Sequence, residues 1–171
     1  MDVNKEMKEE INIETQKTKG SIHLLLAGHS AGHILKVIEE FQPDHIEFFT
    51  STQLEPTVND LMSSIHEFQG TYHVENIPSF TEDSLISGIS IISGRYKILK
   101  SMFPFKKIYF GITGGTNTMA VEIAITALFS MESMHYVVKD VDDDNDAGKI
   151  IMFDTEKLNN FLKTLLTGRT A

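Results

Sequence analysis

The sequence predicts an α/β fold of three layers, a mainly parallel sheet between two layers of helices, with an antiparallel hairpin at its C-terminal end. Three observations predict it. Short apolar runs of strand length alternate with longer stretches whose apolar residues recur every three or four positions. Glycine and proline punctuate the joins between them. Near the C-terminus two strand-like runs follow one another with only an acidic loop between, which implies a hairpin. Alternation of strand and helix implies parallel strands whose crossing helices cover both faces.

The elements follow in order. Residues 21–27 (SIHLLLA) form a short apolar run ending at Gly28, as a buried parallel strand should. From His33, Ile34, Leu35, Ile38 and Phe41 recur at helical spacing, and Pro43 closes that helix. Residues 44–50 (DHIEFFT) are a second strand. A helix follows from about Pro56, with Val58, Leu61, Met62, Ile65 and Phe68 on one face and Gly70 as its cap. Residues 71–77 (TYHVENI) are less apolar, which places this third strand nearer an edge.

Thr81-Glu82-Asp83 opens a long helix with an acidic first turn. Its stripe is Leu85, Ile89, Ile92, Tyr96 and Leu99, and Gly88 and Gly94 are where another helix can approach closely. Pro104 marks its exit. Residues 107–113 (KIYFGIT) are the fourth strand. Thr116 or Asn117 then caps a helix reaching about Met131, apolar around most of its circumference and so expected to lie against the sheet or a second subunit. Residues 134–139 and 149–154 are the hairpin strands. Residues 158–166 are the last helix, with Gly168 after it. The polar segment 1–20 reads as an extension, and residues 21–168 as one Rossmann-like domain.

Composition bounds the function. The chain has 171 residues, 41% hydrophobic and 23% charged, enough for one full core. It has no cysteine, which excludes disulfides, thiolate metal sites and a cysteine nucleophile. The net charge of −9 argues against gripping DNA along its phosphates, while leaving room for one small anion held by backbone amides. The sequence contains neither a signal peptide nor an apolar run of about 18 residues, so a cytoplasmic protein is expected.

In open parallel sheets ligands bind beyond the carboxyl ends of the strands. Two segments fall there. Gly111-Ile112-Thr113-Gly114-Gly115-Thr116-Asn117-Thr118-Met119 follows the fourth strand. Its glycines let a phosphate approach the main chain, the helix start offers free N–H groups, and the threonines add hydroxyls. The alternative is a tight strand-to-helix turn capped by threonine. The segment is neither a Walker A loop nor GxGxxG. Gly28-His29-Ser30-Ala31-Gly32-His33 follows the first strand. Its histidines, four apart, lack the third ligand that a zinc site needs, so no metal is expected. Ser30 fits as the N-cap of the next helix, with His29 and His33 at a pocket mouth or facing solvent. The segment also matches GxSxG by letters, which keeps open a small hydrolase using Ser30. Asp140, Asp142, Asp143, Asp144 and Asp146 fail the EF-hand spacing and read as a solvated loop. Arg95, Lys97 and Lys100 read as a wet helix face.

On the Thr113-Gly114-Gly115-Thr116 segment and Met119, together with the Gly28-His29-Ser30 loop, the sequence resembles the CARF family, the CRISPR-associated Rossmann-fold domains, across residues 21–167. The resemblance implies binding of a cyclic oligoadenylate, with cyclic tetraadenylate the expected ring, across a homodimer in type III CRISPR signalling. It implies no cofactor. Gly28, Ser30, Thr113, Gly114, Gly115, Thr116, Asn117 and Met119 would line the ligand. Standalone members resemble ring nucleases, and the length implies no attached effector module. In that role Ser30 would position the phosphate or the ribose 2′-OH, and His29 or His33 would move a proton. The family's lysine after TGGT is Asn117 here, so Lys97, Lys100 or Lys139 would have to supply the missing cation. The alternative is a non-catalytic sensor acting through a separate effector protein.

Overall fold

The computed structural model describes residues 20–78, 83–138 and 148–167. Six strands form one sheet: β1 (Ile22–Leu26), β2 (His45–Thr50), β3 (Thr71–Asn76), β4 (Ile108–Gly111), β5 (Ser133–Val138) and β6 (Lys149–Phe153). The order is β3-β2-β1-β4-β5-β6, parallel except for the antiparallel β5–β6 pair. Five helices flank it: α1 (Gly32–Phe41), α2 (Glu55–Ser64), α3 (Ser84–Met102), α4 (Asn117–Ser130) and α5 (Thr155–Thr167). This is the expected three-layer sandwich, with β3 at the edge that its composition indicated.

Alternation along the strands divides the core. Leu24, Leu26, Phe49 and Phe110 pack with Ile92 and Leu99 of α3 and with Met119, Ile123 and Ala127 of α4. Leu25, Phe48 and Ile46 face the other way, against Ile34, Val37 and Phe41 of α1 and Val58 and Met62 of α2. β1 lies between β2 and β4, buried on both faces, which explains its unbroken apolar run.

The chain leaves β1 toward β2 and β3 on one side, and β4 continues toward β5 and β6 on the other. The loops after β1 and β4 therefore diverge over a crevice at this switch point.

Several expectations change in detail. The buried line of α3 is Ser84, Gly88, Ile92 and Leu99, so Leu85 is exposed. Gly88 does meet another helix, at Glu122 of α4, whereas Gly94 faces open space. Leu35 of α1 is exposed and Val37 takes its place in the core. Arg95 is not on a wet face. It forms a two-pronged ion pair with the fully buried Glu47 of β2, Nε to Oε1 at 2.7 Å and Nη2 to Oε2 at 2.9 Å. His73 donates to the same carboxylate at 2.7 Å and His45 at 3.3 Å. The acidic loop and Lys139 lie outside the described residues.

Candidate functional site

Helix α4 begins where the sequence says it should. Thr116 is the N-cap, its Oγ1 accepting from the Met119 N–H at 3.2 Å. Asn117 is the first residue of the helix and is exposed, and Gly115 and Thr116 just before it line a cleft at this end of the sheet. Before the helix, Gly114 and Gly115 both adopt positive φ, +94° and +64°. Two such residues in succession need glycine.

The β1 loop is pressed against this turn. A Cβ on Gly28 would stand 2.9 Å from the Gly115 nitrogen, so the two backbones touch. The structure thus brings together the two segments that the sequence placed at the strand ends.

Three clefts open around this junction. One of about 220 Å³ is lined by Gly28, His29, Ser51, Gln53, Leu54 and Met119, with Ala27, Gly115 and Thr116 beneath. A second, about 230 Å³, lies on the other side of Gly114 and includes Ser30, His33 and Thr113. The third, about 330 Å³, opens between α1 and α2 from His29 and Ser30.

The expected residues divide by what holds them. Ser30 and His29 are exposed on the loop between clefts. Ser30 is not the N-cap: α1 starts at Gly32, and the capping position is Ala31, without a side-chain bond.

His33 is not at the mouth. It is buried, and its Nε2 donates to the Leu26 carbonyl at 2.8 Å. Burial holds its pKa below the ordinary value, against the pull of that hydrogen bond. Thr113 Oγ1 accepts the Val137 N–H at 2.7 Å, tying the turn to β5 and leaving the hydroxyl proton for another partner. Met119 is buried, its sulfur beneath Gly115.

Lysine substitution for Asn117 finds no support in α3. That helix runs antiparallel to the strands, so Lys97 and Lys100 lie toward the opposite end of the sheet, and Lys100 is paired with Glu132 at 2.6 Å. Nor does a hydrolase triad form: among the described residues Ser30 makes no side-chain hydrogen bond, and the His–carboxylate pairs are those of Glu47, mid-strand on the α3 side. Among the described residues, the group with the spacing to hold a metal cation, Glu47, His73 and Glu75, is already occupied by the Arg95 guanidinium.

Sequence reasoning missed the β2–α2 segment, Ser51, Gln53 and Leu54, which walls the first cleft. Its only signal was position, after a parallel strand next to β1.

No protein-family model matches the sequence, and no curated protein matches it. Solved structures do. Csm6 from Enterococcus italicus, bound to cyclic hexa-2′-fluoro-hexa-dAMP, matches at TM-score 0.62 and 13% identity over 86% of this chain. Can2 from Sulfobacillus thermosulfidooxidans, in complex with cyclic tetra-adenylate, matches at 0.58 and 14% over 70%. These likenesses show the fold, a Rossmann-like α/β sandwich. Protein VC1899 from Vibrio cholerae shares it, at TM-score 0.63 and 12% identity over 81% of the chain. The chain spans 47%, 32% and 36% of the length of Csm6, Can2 and VC1899 respectively. Among the described residues, no helix is long and apolar enough to cross a membrane.

Proposed function

We propose that this chain binds a cyclic oligoadenylate, with cyclic tetraadenylate the expected ring, and that two copies share one ring in type III CRISPR signalling. One observation carries the reading: the Gly114–Gly115 turn, flattened against Gly28, presents a bare backbone and the free amides of α4 to the crevice. That is hardware for a phosphodiester rather than for a bulky cation. The cyclic adenylates in the Csm6 and Can2 structures supply the ligand class. A ring of repeated phosphates calls for repeated cradles, which a twofold dimer supplies. Support for a dimer comes from exposed apolar side chains on α4 and α5, including Phe129 at 87% and Leu166 at 86% exposure.

The test is calorimetry with cyclic tetra- and hexaadenylate, with light scattering before and after. Heat from at least one ring, with one ring per two chains, is the expected outcome. Absence of heat from both rings removes the reading.

A second reading, ring opening, is favoured by the exposure of His29 and Ser30 beside the cradle. In that step a ribose 2′-oxygen bonds to the adjacent phosphorus, the bond from phosphorus to the 5′-oxygen breaks, and the 2′-OH proton leaves as one reaches the 5′-oxygen. A linear product ending in a 2′,3′-cyclic phosphate results, without a metal. The absence of a cation in place of Asn117 favours slow turnover over fast. Chromatography of the ring after incubation distinguishes an intact ligand, the mark of a sensor acting through an effector, from cleavage lost in Ser30→Ala.

A further inference from the structure

We infer that the first cleft is a purine slot and that Gln53 reads the adenine edge in it, a proposal that rests on the adenylate reading above. The cleft shares Gly28, Gly115 and Thr116 with the phosphate cradle, so a nucleotide whose phosphate lies on the cradle has its base within reach of this opening. Its volume of about 220 Å³ suits one nucleobase rather than a larger group. Its walls are the side chains of Ala27, Leu54 and Met119, the chemistry that a flat aromatic ring seeks on its faces. The thioether of Met119 is a favourable neighbour for such a ring.

The polar groups decide which base. Thr116 Oγ1 accepts the Met119 N–H at the helix cap, which leaves it only its hydroxyl proton to donate. Gln53 is exposed at the rim, and its carboxamide has no side-chain partner among the described residues. A carboxamide offers a donor and an acceptor side by side. Adenine presents the complementary pair, the N6 amino donor beside the N7 acceptor, and glutamine is its natural bidentate reader. Guanine and hypoxanthine replace the amino group with the O6 acceptor. One of the two bonds is then lost and a carbonyl is set against a carbonyl. Ser51, on the same wall, can reach the remaining edge. The β2–α2 segment therefore makes the site selective for adenine, while the glycine cradle takes any phosphodiester.

The experiment compares the full chain with Gln53→Leu, each titrated with cyclic tetra- and hexaadenylate and with the inosinate rings of the same sizes. For the wild type we expect the better adenylate ring to bind at least tenfold tighter than its inosinate counterpart. Gln53→Leu should lower adenylate affinity at least tenfold, leave inosinate affinity within about threefold, and so abolish the preference. Its melting temperature should match the wild type, because Gln53 is exposed and unbonded. A wild type that binds no ring overturns the adenylate reading itself. A wild type that binds, alongside a Gln53→Leu protein that keeps the same preference, overturns the role of Gln53 alone.

Discussion

The imidazole of His33 lies directly beneath Gly114. Its Nε2 donates to the Leu26 carbonyl at 2.8 Å, and a Cβ on Gly114 would stand 2.7 Å from that same nitrogen. The histidine therefore acts as a buried prop that sets the height of the Gly114–Gly115 turn. Gly114→Ala has to move the imidazole and also bear a φ of +94° that alanine resists. Such a variant is expected to fold, to lose about 1–3 kcal/mol of stability, and to bind cyclic adenylate at least tenfold more weakly. Unchanged affinity in calorimetry would show that the ligand does not use this turn.

A line of buried histidines should make the fold acid-sensitive. His23 Nδ1 and His135 Nε2 are 3.2 Å apart under the sheet, and His135 also interacts with His33. Burial holds His23 and His33 below their ordinary value, and burial with the nearby His33 takes His135 from 6.5 to about 4. Unfolded histidines titrate near 6.5, so the unfolded chain binds protons that the folded chain refuses. The histidines' contribution should be level above about pH 7 and turn steadily against the fold as pH drops from 6.5 toward 4. Thermal melts across that range, repeated with His135→Phe, measure the slope. A variant with the wild-type slope would exclude His135 as a source.

Glu47 pulls the other way. Although burial pushes its pKa up, the hydrogen bonds from His45, Arg95 and His73 outweigh it and hold the carboxyl at about 2. Its contribution is present above the unfolded pKa of about 4.5 and is lost only as pH falls toward 2. Removing the charge strands a half-buried guanidinium. Glu47→Gln is thus expected to cost about 3–5 kcal/mol in denaturant titrations at neutral pH.

Glu122 is the opposite case, a carboxyl at 0% exposure with neither oxygen hydrogen-bonded, packed where Gly88 leaves space. Burial raises its pKa, so it supports the fold below its unfolded pKa and opposes it as pH rises through the folded value. Glu122→Met should stabilise by roughly 1 kcal/mol or more, and more at pH 8 than at pH 5. Gly88→Ala alone places a Cβ 2.2 Å from Glu122 Cδ and should destabilise, whereas Gly88→Ala with Glu122→Ala should recover most of the loss. Additive losses in that cycle would mean that the two residues do not press on each other.

Phe129 and Leu165 are exposed on α4 and α5. Phe129→Asp with Leu165→Asp should shift the chain to monomer in light scattering and weaken ring binding, while leaving the melting temperature within a few degrees. A dimer that survives both changes lies elsewhere.

Much of this was legible from residues alone. Each strand and helix falls within a few positions of where its apolar spacing puts it, because strands of period two and helices of period 3.6 must each bury one face. Gly114 and Gly115 announce a turn of a kind that glycine adopts most readily, and Thr116 announces the helix that follows. The histidines were harder. His29 and His33 look alike in the sequence, four positions apart, yet one is exposed and the other is a buried prop, because α1 begins between them. Arg95 reads as a surface cation until β2 and α3 are packed together and Glu47 is found opposite it.

The sequence by itself determined the layers, the two loops beyond the strand ends and the glycines that shape one of them, since these depend on local backbone preference and periodic burial. Only the tertiary structure decided that Gly28 rests on Gly115, that Gln53 shares their crevice, and that Glu122 is sealed against Gly88. Those pairings join residues far apart along the chain. What creates them is sheet order and helix packing, which no local pattern encodes.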